Sequence, residues 1–450
     1  MTTAASDGSL ARLRRNLRLG GGWYALYPPP RAFQAFGDDR FIAAIRESNG
    51  DPIPPQLALH FDIPAAYRSS FCHPDSRPRG ADGSRAEAYR DRLVREVGLV
   101  GSLFDRDRDV VQVSLAPGMT RWMSVAQVAE LLASLRRHFH ADRAADIDLA
   151  MTLDPDDLAS APLRDWAALG FNRVGINIAA LAGAGAAPSR QREDVARLVA
   201  QAREAGFANL RVEVPYGLAG QTDAAFDALV AAVAAARPER VGLRHCPSQD
   251  APDAGATPAG HDAHARMLLA GADALEHAGY LHVGVDLFAQ ADDPLVRAQR
   301  QGRIHRDALG FGAHAATHLV GFGVGAISQL GGCHAQNPLD QPSWEARIDR
   351  GHRACNRGVE LSEDDHLRAA VLQDILCYGR IGVAQLEAHH RIPFRAYFGD
   401  ALARLQPLFE DGSLCWDGDA ILLDRIARLA AQAIASQFDP LTGATAGGTA

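Results

Sequence analysis

The chain has no CxxC pair in its 450 residues, and its six cysteines, Cys72, Cys246, Cys333, Cys355, Cys377 and Cys415, lie far apart. In so long a chain that spacing argues against a disulfide framework. No apolar run approaches the roughly 20 residues of a membrane span; "ALVAAVAAA" at 228–236 is among the longest. The N-terminus is basic but has no apolar run behind it, so a secretory signal is not expected and a cytoplasmic location is. Positive charge is in deficit. Lys and Arg number 46 against 54 Asp and Glu, a net charge of −8, which tells against broad nucleic-acid binding. Local basic stretches, "LARLRRNLR" near the start and "VRAQRQGRIHR" at 296–306, are expected as solvated helix faces. There is no short-period repeat. What is abundant is apolar surface: 47% of residues are hydrophobic, enough for one large domain and a smaller one with full cores.

From about residue 55, short β-branched runs alternate with longer helical ones. Strands are expected at 56–62, 109–115, 146–153, 173–178, 208–215 and 239–245. Helices are expected at 85–104, 124–139, 159–169, 192–205, 222–237 and 261–278, with Gly170 stopping the third. Six such units imply a parallel sheet with helices outside, and the strands read as continuously hydrophobic, buried on both faces. No GxGxxG follows the first strand, so a complete or partial α/β barrel fits better than a doubly wound sheet. Functional residues of such barrels sit at the C-terminal ends of strands. The loop "IPAAYRSSFCHPDS" at 63–76 occupies that place after the first strand, with Cys72, His73 and Asp75 close together.

Composition changes after about residue 285. "HLVGFGVGAISQLGGCHAQNP" at 318–338 is Gly-rich, and either its backbone approaches a ligand or it turns tightly beside a buried strand. A helical region at 362–380, a hairpin at 413–424 around "DGD" and a helix at 424–438 suggest a winged-helix-like tail. The expected divisions are an N-terminal segment at 1–50 packed on the barrel, the α/β barrel at 51–290, a Gly-rich closing segment at 291–345, a helical domain at 346–440 and a disordered end at 441–450.

The segments "GVDLFAQADDPLVRAQRQGRIHRDALGF" (284–311), "LVGFGVGAISQLGGCHAQN" (319–337), "GFNRVGINI" (170–178), "AREAGF" (202–207), "YGLAGQT" (216–222) and "YPPPRAF" (27–33) stand in this order-specific set across about residues 15–440. Together they resemble the oxygen-independent coproporphyrinogen III oxidase family of the radical SAM superfamily. The resemblance implies an α/β fold, a partial (β/α)6 TIM-like barrel of radical SAM type, with a C-terminal mainly helical, winged-helix-like domain. It also implies a [4Fe–4S] cluster held by a CxxxCxxC loop after the first strand. S-adenosylmethionine would bind the fourth iron, and its radical would take hydrogen from a substrate propionate.

The loop departs from that pattern. With "IP" aligned, the three cluster positions hold Ala66, Ser70 and His73, and Cys72 falls between the last two. The family's glycine-rich GGGTP motif becomes "APGMT" at 116–120, keeping Gly118. Thr152 and Ala179 replace an acidic residue and a glutamine, and Glu213 replaces an aspartate. Tyr27 and Ile327 are retained, so the vestigial S-adenosylmethionine pocket is Tyr27, Gly118, Glu213 and Ile327. A cluster is therefore not expected, and S-adenosylmethionine binding is implied by the resemblance alone.

Four readings follow. The first is a coproporphyrinogen III oxidase-like protein of haem metabolism without the radical activity, which binds a porphyrin or haem or regulates through it. Arg297, Arg300, His305 and Arg306 would then meet propionate carboxylates, and Cys72, His73, His60 or Cys246 would meet haem iron. The second is an active enzyme that converts coproporphyrinogen III to protoporphyrinogen IX. The third is a metal-dependent enzyme built on Cys72 and His73, with His60, Asp62 and Asp75 nearby. The last is an interaction protein that uses its tail or its N-terminal helix on a partner the sequence does not identify.

Overall fold

A computed structural model describes residues 7–20, 24–68, 83–139, 147–155, 163–182, 188–246, 258–314 and 317–441. Ser70, Cys72, His73, Asp75 and the tail beyond residue 441 lie outside the described residues. After a two-residue strand β1 (Gln34–Ala35), the expected strands form as β2 (Leu57–Phe61), β3 (Val110–Leu115), β4 (Asp148–Leu153), β5 (Arg173–Asn177), β6 (Asn209–Tyr216) and β7 (Arg240–His245). Helices intervene as the periodicity predicts. Val125–His138 starts at Ser124, whose side chain accepts from the Gln127 N–H while Gln127 reaches back to the Ser124 N–H. This reciprocal cap satisfies two otherwise orphaned donors. Thr222 caps the helix Asp223–Ala236 by accepting from Ala225.

Strands β2 to β7 are parallel and consecutive, the core of an open barrel. The Gly-rich segment adds to it. It forms β12 (His318–Phe322), β13 (Ile327–Leu330) and β14 (Cys333–Gln336), and β12 runs parallel beside β2. A buried strand is one of the two expectations for this segment; β12 contains one glycine, Gly321, and no helix follows it before β13. Beyond it, β13, β14 and β15 (Arg357–Glu360) continue antiparallel. On the other flank, β9 (Leu287–Ala289) pairs antiparallel with both β7 and β8 (Leu281–Gly284). The sheet therefore curls without closing on itself.

The barrel strands are not continuously hydrophobic, which corrects the sequence expectation. They alternate. Leu57, Leu59, Phe61, Val113, Leu149, Val174, Ile176, Val212, Val214, Val241 and Leu243 are buried in one core with the outer helices. Each contributes about 1.5–3 kcal/mol by leaving water. The opposite parity carries His60, Gln112, Ser114, Thr152, Arg173, Arg211, Glu213, Arg240 and Arg244, which face a cavity. A parallel barrel whose interior is polar leaves space for a ligand where aliphatic side chains otherwise fill it.

A second core joins the tail to the barrel edge. Ile375, Leu376, Phe394, Phe398 and Phe438 pack with Val283 of β8, Leu287 of β9, and Tyr24 and Tyr27 of the N-terminal segment. The expected hairpin forms from the strands Leu414–Asp417 and Ala420–Leu423, with Gly418 at φ 57° in the turn. The N-terminal basic helix Asp7–Leu17 is not simply solvated: Arg12 meets Asp424, Arg14 meets Asp262 at 3.0 Å and Arg15 meets Asp411 at 2.6 Å. Among the described residues no helix is long and apolar enough to cross a membrane.

Candidate active site

The inward parity of the barrel encloses a cavity of about 580 Å³, within the range typical of small-molecule sites. Its wall brings together four arginines, Arg173, Arg211, Arg240 and Arg244, with two carboxylates, Glu213 and Asp307. The register places them. Arg173 on β5 lies beside Ala150 of β4, Gly175 beside Arg211, and Arg211 beside Arg240. A hairpin of β10 (His305–Asp307) and β11 (Gly310–Gly312) supplies the remaining wall from Asp307 to Gly312.

The arginines are held by ion pairs, of which Arg240–Asp293 is buried and the others are half-buried. Arg173 Nη1 lies 2.6 Å from Asp148 Oδ2, and Arg240 Nε lies 2.8 Å from Asp293 Oδ2. Glu213 is clamped from both sides, by Arg211 Nε at 2.6 Å and Arg244 Nε at 2.9 Å. Arg244 Nη1 also reaches Asp286 Oδ2 at 2.5 Å. Burial alone would raise the Glu213 carboxyl, but the two guanidinium groups outweigh it and hold it below the usual carboxylate range. Glycine at 242 makes room: a Cβ there would sit 2.1 Å from Glu213 Oε2. His60, on β2, is hydrogen-bonded through Nδ1 to Ser114 Oγ at 2.8 Å, and burial lowers its pKa.

The residues singled out from the sequence scatter. Of the vestigial cofactor set, only Glu213 lines the cavity. Gly118 adopts φ 93° just beyond β3, before a short helix. Tyr27 is buried, and its carbonyl accepts from His334 Nε2 at 2.9 Å. Ile327 begins β13. Ala66 is exposed in the short helix Ala65–Tyr67. Among the carboxylate candidates, Arg306 is buried at the hairpin, donating to the Tyr24 carbonyl at 3.0 Å with its guanidinium 5.0 Å from the Phe311 ring. His305 Nε2 lies 3.0 Å from Thr317 Oγ1 and 3.6 Å from Asp307. Arg297 and Arg300 do not join them. They are exposed on the helix Pro294–Arg300, whose buried face is Leu295, Val296 and Ala298, and they line neither this cavity nor the smaller one beside it. The strand arginines were missed. Their signal was present in "RVGINI", "NLRVEVP" and "RVGLRH", where a charge interrupts an apolar strand on alternate positions.

The donor set does not fit a three-thiolate cluster. The aligned positions carry a methyl, a hydroxyl and an imidazole in Ala66, Ser70 and His73. Cys246, expected as a free thiol, is buried and disulfide-bonded and so offers no thiolate; Cys333, Cys355 and Cys377 are buried in other parts of the fold, and Cys415 is exposed on the strand Leu414–Asp417. Among the described residues no three His, Cys, Asp or Glu side chains converge as metal ligands.

No protein-family model matches the chain. Its fold matches the solved structure of the Escherichia coli coproporphyrinogen III oxidase, described as a radical SAM enzyme, with a TM-score of 0.78 and 27% identity. That match covers 93% of this chain and 97% of the other, and it defines this protein as one of radical SAM fold. Sequence similarity is equally extensive. The oxygen-independent coproporphyrinogen III oxidase of Pseudomonas aeruginosa is 29% identical over 440 residues, 95% of each chain. That of Escherichia coli K12 is 28% identical over 453 residues, 98% of this chain and 96% of the other. Over nearly its whole length the chain is thus similar to oxygen-independent coproporphyrinogen III oxidases, and it carries no CxxxCxxC motif.

Proposed function

We propose that this protein binds a carboxylate-bearing tetrapyrrole in its barrel and does not carry out the radical reaction. It is a cytoplasmic relative in haem metabolism that keeps the substrate chamber and has lost the cluster. The observation that carries the reading is the arginine-lined cavity of about 580 Å³ inside a barrel whose cluster loop has no thiol at any ligand position. Guanidinium groups match carboxylates in planar geometry and stay charged when buried. A tetrapyrrole with propionate arms supplies both the apolar body and the anions such a chamber suits. The vestigial cofactor residues support the same reading. Glu213, at a cofactor position by resemblance, already has both oxygens engaged by Arg211 and Arg244.

Conversion of coproporphyrinogen III to protoporphyrinogen IX is the competing reading, favoured by the full-length similarity to the named oxidases. One experiment separates the two. The full chain is purified without oxygen, reconstituted with iron and sulfide, and assayed for iron, S-adenosylmethionine cleavage and coproporphyrin binding. Saturable coproporphyrin binding without a cluster or cleavage is expected. A stable cluster that cleaves S-adenosylmethionine refutes the proposal and supports the oxidase. One equivalent of zinc, lost in His73→Ala, would instead favour the metal enzyme of Cys72 and His73.

A further inference from the structure

The cavity wall from Asp307 to Gly312 belongs to a separate two-stranded sheet, β10 and β11, paired over three residues on each strand. Such a hairpin is marginal by itself in water. Its position therefore depends on what it touches. On the barrel side, Gln329 of β13 accepts from the Ala308 N–H at 2.8 Å. On the other side lies the tail. Tyr378 donates its hydroxyl to the Ile304 carbonyl at 2.9 Å. Gln373, the last residue of the helix Glu363–Gln373, makes two bonds to one residue. Its Oε1 accepts from the Arg306 N–H at 3.0 Å, and its Nε2 donates to the Arg306 carbonyl. A side-chain amide offers the donor and acceptor of a peptide group, so Gln373 takes the place of a further strand beside β10.

Cys377 fixes which way round that amide lies. Its Sγ donates to Gln373 Oε1 at 3.1 Å, and burial pushes the thiol up to about 12, so it stays a donor. Cys377 belongs to a single π-helical turn, Asp374–Tyr378, that follows Gln373 directly. Turns of this kind are rare and recur at functional sites. This one is also tied to the barrel edge. Gln299 Nε2 donates to the Cys377 carbonyl at 2.6 Å and to the Val283 carbonyl of β8 at 2.5 Å. Gly284 leaves room for the Leu376 carbonyl, which a Cβ there would meet at 2.3 Å. We infer that Gln373 is a positioning residue of the ligand chamber: from the tail, it fixes the hairpin wall at 307–312. The inference rests on the tetrapyrrole reading above for its choice of ligand, and goes beyond it by making the tail part of the chamber.

The test is hydrogen–deuterium exchange over residues 304–312 of the full chain, beside equilibrium binding of coproporphyrin III. Gln373→Met keeps the length of the side chain and loses both bonds. Gln373→Glu keeps the acceptor and regains the donor only when its carboxyl is protonated. Half-buried and facing a carbonyl, that carboxyl is raised. The titratable groups around it are Arg306, Asp307, Asp374, Cys377 and Tyr378, so each variant is compared with wild type at the same pH. Melting curves check that both variants are folded. Gln373→Met should speed exchange at 304–312 and weaken coproporphyrin binding, each by about tenfold, with exchange around Phe394 and Phe438 unchanged. Gln373→Glu should fall short of wild type at about pH 8 and approach it at about pH 6. Unchanged exchange at 304–312 in Gln373→Met overturns the inference. Faster exchange without loss of affinity also overturns it, because the hairpin is then no wall of the ligand site. Exchange that rises throughout the tail does the same, because Gln373 then serves only to fold the tail. If wild type binds no coproporphyrin while the hairpin responds to Gln373, the positioning stands and the tetrapyrrole reading falls.

Discussion

Replacing Glu213 by glutamine should move stability and ligand affinity in opposite directions. Glu213 is the shared anion of two half-buried guanidinium groups, 2.6 Å from Arg211 and 2.9 Å from Arg244. Arg244 keeps Asp286 as a second partner, whereas the ion pair of Arg211 is with Glu213. Removing one partner of a buried pair costs about 3–5 kcal/mol, because the other charge remains out of water. With Asp286 retaining Arg244 and both guanidinium groups partly reached by water, the lower end applies, about 3 kcal/mol at most. An unfolding entropy of about 2.1 cal/mol/K per residue turns this into a fall in Tm of roughly 3 °C for a chain of this length. The same change removes a negative charge from the cavity wall, so an anionic ligand meets a more positive site. Coproporphyrin III should bind Glu213→Gln more tightly than wild type, by about tenfold if one charge-assisted contact is gained. Bound ligand at about 100 times its Kd should then return about 2.7 kcal/mol, most of the lost stability. Thermal melts with and without coproporphyrin III, together with a fluorescence titration, read both effects. If affinity falls along with stability, Glu213 is a ligand contact and not the internal counter-ion of the arginines, and the argument fails.

Two further outcomes follow from the geometry. Glu96 is buried on the helix Gly83–Gly101, where it accepts from the Gly323 and Asn337 N–H groups at 2.8 Å and from Trp344 at 3.2 Å. Burial outweighs these bonds and raises its pKa from 4.5 to about 7. The raised folded value means that its favourable contribution is full below about pH 4.5 and is lost as pH rises through about 7, a change of about 3 kcal/mol. Unfolding free energies between pH 5 and 8 should therefore slope less in Glu96→Gln than in wild type, and parallel slopes would contradict the assignment. Arg297→Ala and Arg300→Ala, on the exposed face of their helix, should leave coproporphyrin affinity within about twofold of wild type. A tenfold loss in either would place a ligand surface outside the barrel.

The strand–helix order was legible in the sequence because each helix and strand announces itself locally. The run "LALHF" became β2, and the Ser124 and Thr222 caps fell where side-chain chemistry puts them. The lack of a CxxxCxxC motif was legible for the same reason, since the residues at the positions aligned by resemblance, Ala66, Ser70 and His73, are read from the chain alone. Parity was harder to read. Arg173, Arg211, Arg240 and Arg244 sit on strands that look apolar overall, and only pairing in register aligns them on one face. Arg297 and Arg306 show the opposite failure. Both lie in one basic stretch, yet the first is exposed on a helix and the second is buried within the hairpin, on β10. By itself the sequence determined the resemblance to coproporphyrinogen III oxidases, the order of elements and the lack of a CxxxCxxC motif, because these depend on residue identity and local spacing. The tertiary structure decided which charges share one low-dielectric chamber, because Glu213, Asp286 and the arginines come together through sheet register and chain crossing, over separations that no local pattern encodes.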